Sequence, residues 1–420
     1  MYVKRYIPRI ADGILDFKLK SKGAVWIKGP KWCGKSTTAK RFSKTCILMQ
    51  DENTREQNIQ LAKTSPSYFL KGKTPLLIDE WQTIPFIWNQ VRTEVDKRDE
   101  FGQFILTGSV TPNKDNIDDQ HSGTGRITSM IMRPMSLFES EESSGEISLK
   151  DLFNGTPIEP TKCGASLEDY AFYTARGGWP KSIGLERVIA LQQAIDYYEG
   201  LVESDISHDS KKEPERVRLL MRSYARNCST QANNTTIKND MIANDSEKLD
   251  EDTIRSYVNS LKSLYVVEES EAWNPNVRSK TAIRTSNTRY FVDPSIACAA
   301  LNLDPNGLIA DLNTFGFLFE NLCVRDLRIY SETINGKVKH FRNNKGLESD
   351  AVITLKDGTW AAIEIKLGNP DLIEEGAKNL IKLKNDVSKE PAFLMIMTTT
   401  EYAYKRDDGI WIVPAGCLGP

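Results

Sequence analysis

The chain has 420 residues, of which 40% are hydrophobic and 27% charged, with a formal net charge of −2. That length exceeds one ordinary core and implies two or three domains; the near-neutral balance excludes a global basic field, so any nucleic-acid contact must be a local patch. Seven irregularly spaced cysteines with no C-x-x-C pair, and only three histidines, offer little for a zinc site or a disulfide framework and fit a reduced, cytoplasmic compartment. The first residues, Met1-Tyr2-Val3-Lys4-Arg5, lack the apolar stretch of a signal peptide. No apolar run of about 18 or more residues predicts a membrane span.

Ala24-Val25-Trp26-Ile27-Lys28 is a short apolar run and predicts a buried strand. Residues 29–36 follow as G-P-K-W-C-G-K-S, which matches the phosphate-loop pattern G-x-x-x-x-G-K-[ST]. Thr37-Thr38-Ala39-Lys40-Arg41-Phe42 then continues as helix, so the motif has its strand–loop–helix context. Gly29, Pro30, Lys31, Trp32, Cys33, Gly34, Lys35, Ser36 and Thr37 are the candidate nucleotide contacts. Glycines let backbone N–H groups turn toward anionic oxygens, the lysine supplies a mobile cation for the β and γ phosphates, and the Ser36 hydroxyl is a Mg²⁺ ligand. The helix that follows directs its positive end at the same anion.

Leu76-Leu77-Ile78-Asp79-Glu80 is an apolar run ending in two acids. Asp79 suits the Mg²⁺ shell, through water, and Glu80 suits orientation or deprotonation of the attacking water. Phe104-Ile105-Leu106-Thr107-Gly108-Ser109 predicts a strand beside it, with Thr107 or Ser109 near the γ-phosphate as a sensor of its presence. The loop His121-Ser122-Gly123-Thr124-Gly125-Arg126-Ile127 ends in one arginine. Arg126 is either a surface salt-bridge partner or a finger that reaches a neighbouring subunit's γ-phosphate, which would require a homo-oligomer.

Taken together, G-P-K-W-C-G-K-S, L-L-I-D-E-W-Q, F-I-L-T-G-S and S-G-T-G-R-I with R-P-M-S-L-F-E behind it resemble the AAA-type ATPase domain of a large prokaryotic family. Its members pair that domain with a C-terminal domain of unknown function, the DUF4143 group. The resemblance implies an α/β fold with a RecA/AAA-like P-loop NTPase core over residues 1–140, with ATP and Mg²⁺ as ligands. The D-E-W-Q and M-S-L-F-E stretches are more specific to it than the loop.

Residues 140–160 are rich in Ser, Glu, Gly and Pro and read as a boundary. From Ser166 the pattern turns helical and reaches Arg176-Gly177-Gly178-Trp179-Pro180, a turn that resembles one in the family's helical lid, here residues 160–210. Residues 189–206 predict an amphipathic helix. Over 211–285, helix, polar stretch, the amphipathic segment 252–261 and a strand Leu264-Tyr265-Val266-Val267-Glu268 suggest a winged-helix-like domain. The exposed face of that segment mixes Asp, Glu and Ser with few basic residues, so a DNA groove and a protein contact both remain open.

The last stretch, 286–420, carries a second cluster. Glu348 to Ile353 and Ala361 to Lys366 predict strands joined by a Lys356-Asp357-Gly358-Thr359 turn. Glu364 and Lys366 are two apart and project from one face, with Asp350 on the partner strand near it. Two carboxylates and a lysine can bind a divalent cation and activate water. Upstream, an apolar helix through Phe315-Gly316-Phe317-Leu318-Phe319 carries one acid, Glu320, which is costly there unless paired or metal-facing. Helix, three strands, a helix over 371–384 and a strand over 392–397 resemble the PD-(D/E)xK nuclease fold. That resemblance implies Asp350 and Glu364 as ligands of a second Mg²⁺ or Mn²⁺, Glu320 as an auxiliary ligand and Lys366 as water activator or charge stabiliser. Plain salt-bridge scaffolding is the other reading. Lys337, Lys339, His340, Arg342 and Lys345 add local positive charge. Arg278-Ser279-Lys280 and Tyr290-Phe291-Val292-Asp293-Pro294 fit the same family pattern with no assigned chemistry.

The expected whole is an ATPase that drives or switches a winged-helix and nuclease-like module acting on DNA. Its rivals are an ATP-gated, Mg²⁺-dependent DNA nuclease and a slow nucleotide-dependent switch that binds a protein partner.

Overall fold

A computed structural model describes residues 6–111, 123–206, 212–244, 250–275 and 286–420. The N-terminal residues 1–5, the loop residues His121 and Ser122, and the motif at 278–280 lie outside the described residues. The chain forms two compact units, residues 1–134 with 262–266, and residues 135–261 with 267–420.

The first unit holds a five-stranded sheet of β1 (Ala24–Lys28), β2 (Thr45–Leu48), β3 (Leu76–Asp79), β4 (Phe104–Gly108) and β5 (Ile127–Ile131), in the order β2-β3-β4-β1-β5. Every neighbouring pair is parallel. Parallel strands are covered on both faces and so carry apolar residues in succession. On β1, Val25 and Ile27 pack with Leu15, Leu19 and Ala39 of helices Ile10–Leu19 and Lys35–Phe42. Ala24 and Trp26 face the other way, into a core with Ile87, Val91 and Val95 of helix Ile87–Arg98. All strands run the same way, so their C-terminal ends share one edge, the usual ligand edge of such sheets.

The second unit is built on a seven-stranded mixed sheet. Its strands are β7 (Thr161–Lys162), β8 (Lys337–Arg342), β9 (Glu348–Thr354), β10 (Trp360–Ile365), β11 (Leu394–Thr398), β12 (Tyr402–Lys405) and β13 (Trp411–Pro414), in the order β7-β12-β13-β11-β10-β9-β8. A separate parallel pair joins β6 (Ile147–Ser148) to β14 (Leu418–Gly419). The Ser- and Gly-rich stretch expected as a boundary is tied to the C-terminal strands. Cys163 N donates to Glu401 O at 2.6 Å and Ser143 Oγ to Leu418 O at 2.7 Å. Only these long-range pairings make short polar segments into strands, and local composition is silent about them.

The predicted strand 264–268 is not formed. Tyr265 has φ 57, which breaks extended backbone, and among the described residues isolated bridges, Val267 to Phe291, Ser270 to Thr288 and Ala272 to His340, follow helix Glu251–Ser263.

Three motifs without assigned chemistry meet in a buried ion network around helix Leu312–Glu332. Arg325 Nη1 donates to Asp293 Oδ2 at 2.7 Å, and Arg325 also pairs with Asp326 Oδ1 at 2.8 Å. Asp293 Oδ2 accepts Gly178 N at 3.0 Å, and Asp326 Oδ2 accepts Leu137 N at 2.9 Å. Met135 N donates to Gly178 O at 2.6 Å, an approach so close that a Cβ on Gly178 would stand 2.0 Å from Met135 O. The M-S-L-F-E, G-G-W-P and F-V-D-P stretches therefore act as one clamp. Burial pushes Asp326 up to about 6, against the pull of Arg325.

Candidate active site

β1 delivers the chain into the phosphate loop, and helix Lys35–Phe42 leaves it from an N-cap at Gly34 with φ 104, a left-handed conformation that suits glycine. Gly29 has φ 150, and a Cβ there would lie 2.1 Å from Met132 O. The loop is tied from outside: Arg9 donates to Cys33 O and Arg133 O, each at 2.8 Å, and Cys33 Sγ to Met132 O at 3.2 Å. The Cys33 side chain is thereby turned into the core, so only its backbone faces a ligand. Lys35 is buried, and its Nζ donates to Pro30 O across the loop at 2.7 Å. Ser36 is half-buried, while Thr37 and Trp32 are exposed, Trp32 in a left-handed backbone of φ 66.

β4 lies between β1 and β3, with Thr107 beside Ile27 and Leu106 beside Ile78. That register carries the acid pair to the loop's edge. The two candidate hydroxyls divide the acids between them. Thr107 Oγ1 donates to Asp79 Oδ1 at 2.5 Å and accepts Glu80 N at 3.1 Å. Ser109 donates to Glu80 Oε2 through Oγ at 2.9 Å and through N at 3.3 Å, and Gln82 Nε2 donates to the same oxygen. Glu80 is buried, in a left-handed backbone of φ 55. Gln82 is a site residue that sequence patterns do not single out; its only signal is its place in D-E-W-Q.

Arg126 stands elsewhere. Its carbonyl accepts Ala24 N at 3.1 Å, at the start of β1, roughly 13 Å along the strand from Lys28. The side chain is exposed and paired with Asp96 at 2.7 Å. Arg126 does not join the loop of its own chain.

In the second unit, Asp350, Glu364 and Lys366 meet as the strand alternation predicts. Lys366 Nζ lies 2.7 Å from Glu364 Oε2 and 3.3 Å from Asp350 Oδ2, and Ile365 N donates to the same Asp350 oxygen at 2.8 Å. Glu320 accepts Tyr290 Oη at 2.7 Å. Glu320, Asp350, Lys366, Tyr290 and Arg342 are among the residues around a cavity of about 250 Å³. Among the described residues, however, no three His, Cys, Asp or Glu side chains are grouped to hold a metal ion. The lysine ammonium already lies between the Asp350 and Glu364 carboxyl groups, and Glu320 is engaged by a tyrosine. The three acids named as a second metal site do not fit that role in this arrangement.

These acids are nevertheless poorly matched in charge. Burial first, then the Asp350 charge, pushes Glu364 up to about 8, and the same causes raise Glu320 well above the carboxylate range. Burial disfavours the Lys366 ammonium, yet the Asp350 and Glu364 charges hold its pKa above the usual lysine value. In the unfolded chain Glu364 titrates near 4.5, whereas the folded protein keeps its proton up to about 8. Stability from this group is therefore full below the unfolded value and is lost as pH rises through the folded one. We expect stability, read as the melting temperature, to fall across that window, at a rate of at most about 1.4 kcal/mol per pH unit, and Glu364→Gln to flatten the fall. Parallel wild-type and variant curves would contradict this.

Comparison with known proteins places this geometry. Residues 21–141 match the AAA domain family, 167–307 a domain of unknown function (DUF8612) and 315–418 a domain of unknown function (DUF4143). With the phosphate loop, the acid pair and the parallel sheet, these make the first unit an AAA-type P-loop ATPase domain. The chain is an ATPase that carries a DUF4143 domain behind its AAA domain. Among solved structures, a Walker-type ATPase of Pyrococcus abyssi is similar at 17% identity, covering 70% of this chain and 96% of its own, with a TM-score of 0.44. The Orc1 protein of Aeropyrum pernix in complex with DNA is similar at 12% identity over 74% of this chain and 97% of its own, with a TM-score of 0.28. No sequence among the curated proteins matches. Among the described residues no helix is long and apolar enough to cross a membrane.

Proposed function

We propose that ATP hydrolysis with Mg²⁺ in residues 1–140 drives or switches the attached middle and C-terminal module, and that this module acts on DNA. The observation that carries the hydrolytic reading is the gathering of Asp79, Glu80, Thr107 and Ser109 at the strand ends flanking the phosphate loop. Backbone N–H groups from Gly29 to Thr37, Pro30 excepted, bind the phosphates, and Lys35 moves from Pro30 O to their charge. Ser36 and Asp79 offer the hard oxygens that Mg²⁺ prefers and would hold it. Mg²⁺, when bound, supplies charge neutralisation at the β and γ phosphates. Glu80 takes the proton of the attacking water. Arg126, too far from its own loop, serves a neighbouring copy in a homo-oligomer. The seven unpaired cysteines fit a reducing cytoplasm.

The reading of DNA as partner is supported by β8, the edge strand beside the carboxylate cavity, with Lys337 and Lys339 on it, Arg342 at its end and Lys345 beyond. The helices Pro214–Arg226, Asn234–Asn244 and Glu251–Ser263 with the antiparallel bridges Val267 to Phe291 and Ser270 to Thr288 after them support a winged-helix-like middle over 211–285, between a helical lid at 160–210 and a PD-(D/E)xK-like domain at 286–420. With Lys366 between the acids, the proposed action on DNA is binding, and cleavage is the rival reading. DNA binding measured with a non-hydrolysable ATP analogue and with ADP tests the proposal. Binding is expected to depend on the nucleotide and to weaken about tenfold in Lys337→Glu with Lys345→Glu, with a shallower salt dependence. Equal binding in both nucleotide states would refute switching, and no binding in either would favour a protein partner. Cleavage of plasmid or single-stranded DNA with Mg²⁺ or Mn²⁺, lost in Asp350→Ala and Glu364→Ala but kept in Lys35→Ala, would instead establish the nuclease.

A further inference from the structure

Two residues of D-E-W-Q, Trp81 and Gln82, are unused by the chemistry above. Glu80 Oε2 takes three donors, from Gln82 Nε2, Ser109 Oγ and Ser109 N. A carboxylate held only by its stem turns about its last bond, and its two oxygens exchange. Here one oxygen is anchored, and Oε1 is left to accept a proton.

The anchor is itself oriented. Gln82 Oε1, Trp26 Nε1 and Trp81 Nε1 are all buried without a hydrogen-bond partner. They surround one point: a Cβ on Gly108 would stand 2.9 Å from Gln82 Oε1, 3.2 Å from Trp26 Nε1 and 3.3 Å from Trp81 Nε1. With two indole donors on one side and a carboxylate on the other, the amide has one acceptable orientation. Its oxygen faces the indoles and its NH₂ faces Glu80; turned over, donors would meet donors and oxygen would meet carboxylate. The indoles are fixed in turn, packed edge to face at 5.4 Å, with Trp81 1% exposed and Trp26 8%. A side chain at 108 would push Gln82 away, so Gly108 belongs to the same device.

We propose that Gln82 is a positioning residue for ATP hydrolysis: with Ser109 it anchors Glu80 Oε2, so that Oε1 faces the attacking water. This rests on the reading of Glu80 as general base. In the step, the water oxygen bonds to the γ-phosphorus and its proton passes to Glu80 Oε1. The bond from the γ-phosphorus to the β–γ bridging oxygen breaks, and its electron pair leaves with ADP. The proton then returns to the released phosphate.

Gln82→Met keeps the length of the side chain and removes the donor. Its kcat for ATP is expected to fall about 10- to 100-fold, the cost of a reacting group misplaced by roughly 1 Å. The KM for ATP, the Kd for ADP by calorimetry and the Tm are expected to stay at wild-type values, since the phosphate loop is untouched. Gln82→Glu, the same shape without the donor, is expected to lose kcat as well, which guards against a packing fault peculiar to methionine. Wild-type kcat in both variants, with Glu80→Gln inactive, overturns this inference alone. Wild-type kcat in Glu80→Gln overturns the base reading beneath it. A fall in kcat accompanied by a lower Tm and weaker ADP binding makes Gln82 merely structural and also overturns the inference.

Discussion

Lys35→Ala is expected to lower ATP turnover by about 10²- to 10³-fold, the usual loss when one preorganised donor to a transition-state anion is removed. Lys35 is 4% exposed and is held at 2.7 Å on Pro30 O, so its ammonium waits inside the loop rather than in solvent. Moving from that carbonyl to the phosphates exchanges one hydrogen bond for a charge-assisted one, stronger by roughly twofold. Among the other loop side chains only Lys31 carries a charge. Trp32 has no charge, the Cys33 thiol is bonded to Met132 O, and Ser36 offers only a neutral hydroxyl. Steady-state phosphate release is the measurement, and full activity in the variant would sink the assignment of the loop. The fold should survive, because the loop's ties run through Arg9, Cys33 and Met132.

The second large effect lies far from the nucleotide loop in sequence. Arg325→Met is expected to destabilise the second unit by about 3–5 kcal/mol, because Asp293 and Asp326 would remain buried with their charges unmatched. Arg325 is 2% exposed, and its two partners are equally enclosed. At the size of this unit that corresponds to a Tm loss of roughly 5–9 °C by calorimetry. Arg325→Lys keeps the charge but not the planar fork, and should recover only part of the loss. Adding Asp293→Asn and Asp326→Asn to Arg325→Met should recover more, since the penalty comes from stranded charge rather than from a missing attraction. An unchanged Tm in Arg325→Met would show that the clamp is not what holds the M-S-L-F-E, G-G-W-P and F-V-D-P stretches together.

The nucleotide half is legible in the sequence because its chemistry is nearly contiguous. The loop occupies eight successive residues, and each acid or hydroxyl ends an apolar run that can only be a buried strand. Placing β4 between β1 and β3 then brings Thr107 to Asp79 and Ser109 to Glu80, a pairing that strand patterns suggest without choosing between the hydroxyls. Gln82 is illegible by the same logic. Its value comes from two indoles and a missing side chain at Gly108, which belong to three different segments.

The C-terminal half divides in the same way. Strand alternation suffices to bring Glu364, Lys366 and Asp350 together, since pleat and hairpin turn are local properties. It cannot tell that Lys366 lies between the two acids, nor that Glu320 is taken by Tyr290, because those outcomes depend on how a helix and a sheet pack. Nor can composition foresee that residues 161–162 complete the sheet at β12.

By itself, then, the sequence determined the ATPase class, the acids that end the apolar strands and the positions of the main strands along the chain. Those depend on backbone periodicity and on groups adjacent along the chain. Tertiary structure alone decided which carboxylate oxygen is anchored, which cation neutralises which acid, and that Arg126 stands at the opposite edge from its own loop. Those depend on distances between segments remote in sequence, where burial turns a few tenths of an ångström into the choice between a bonded and an unbonded group.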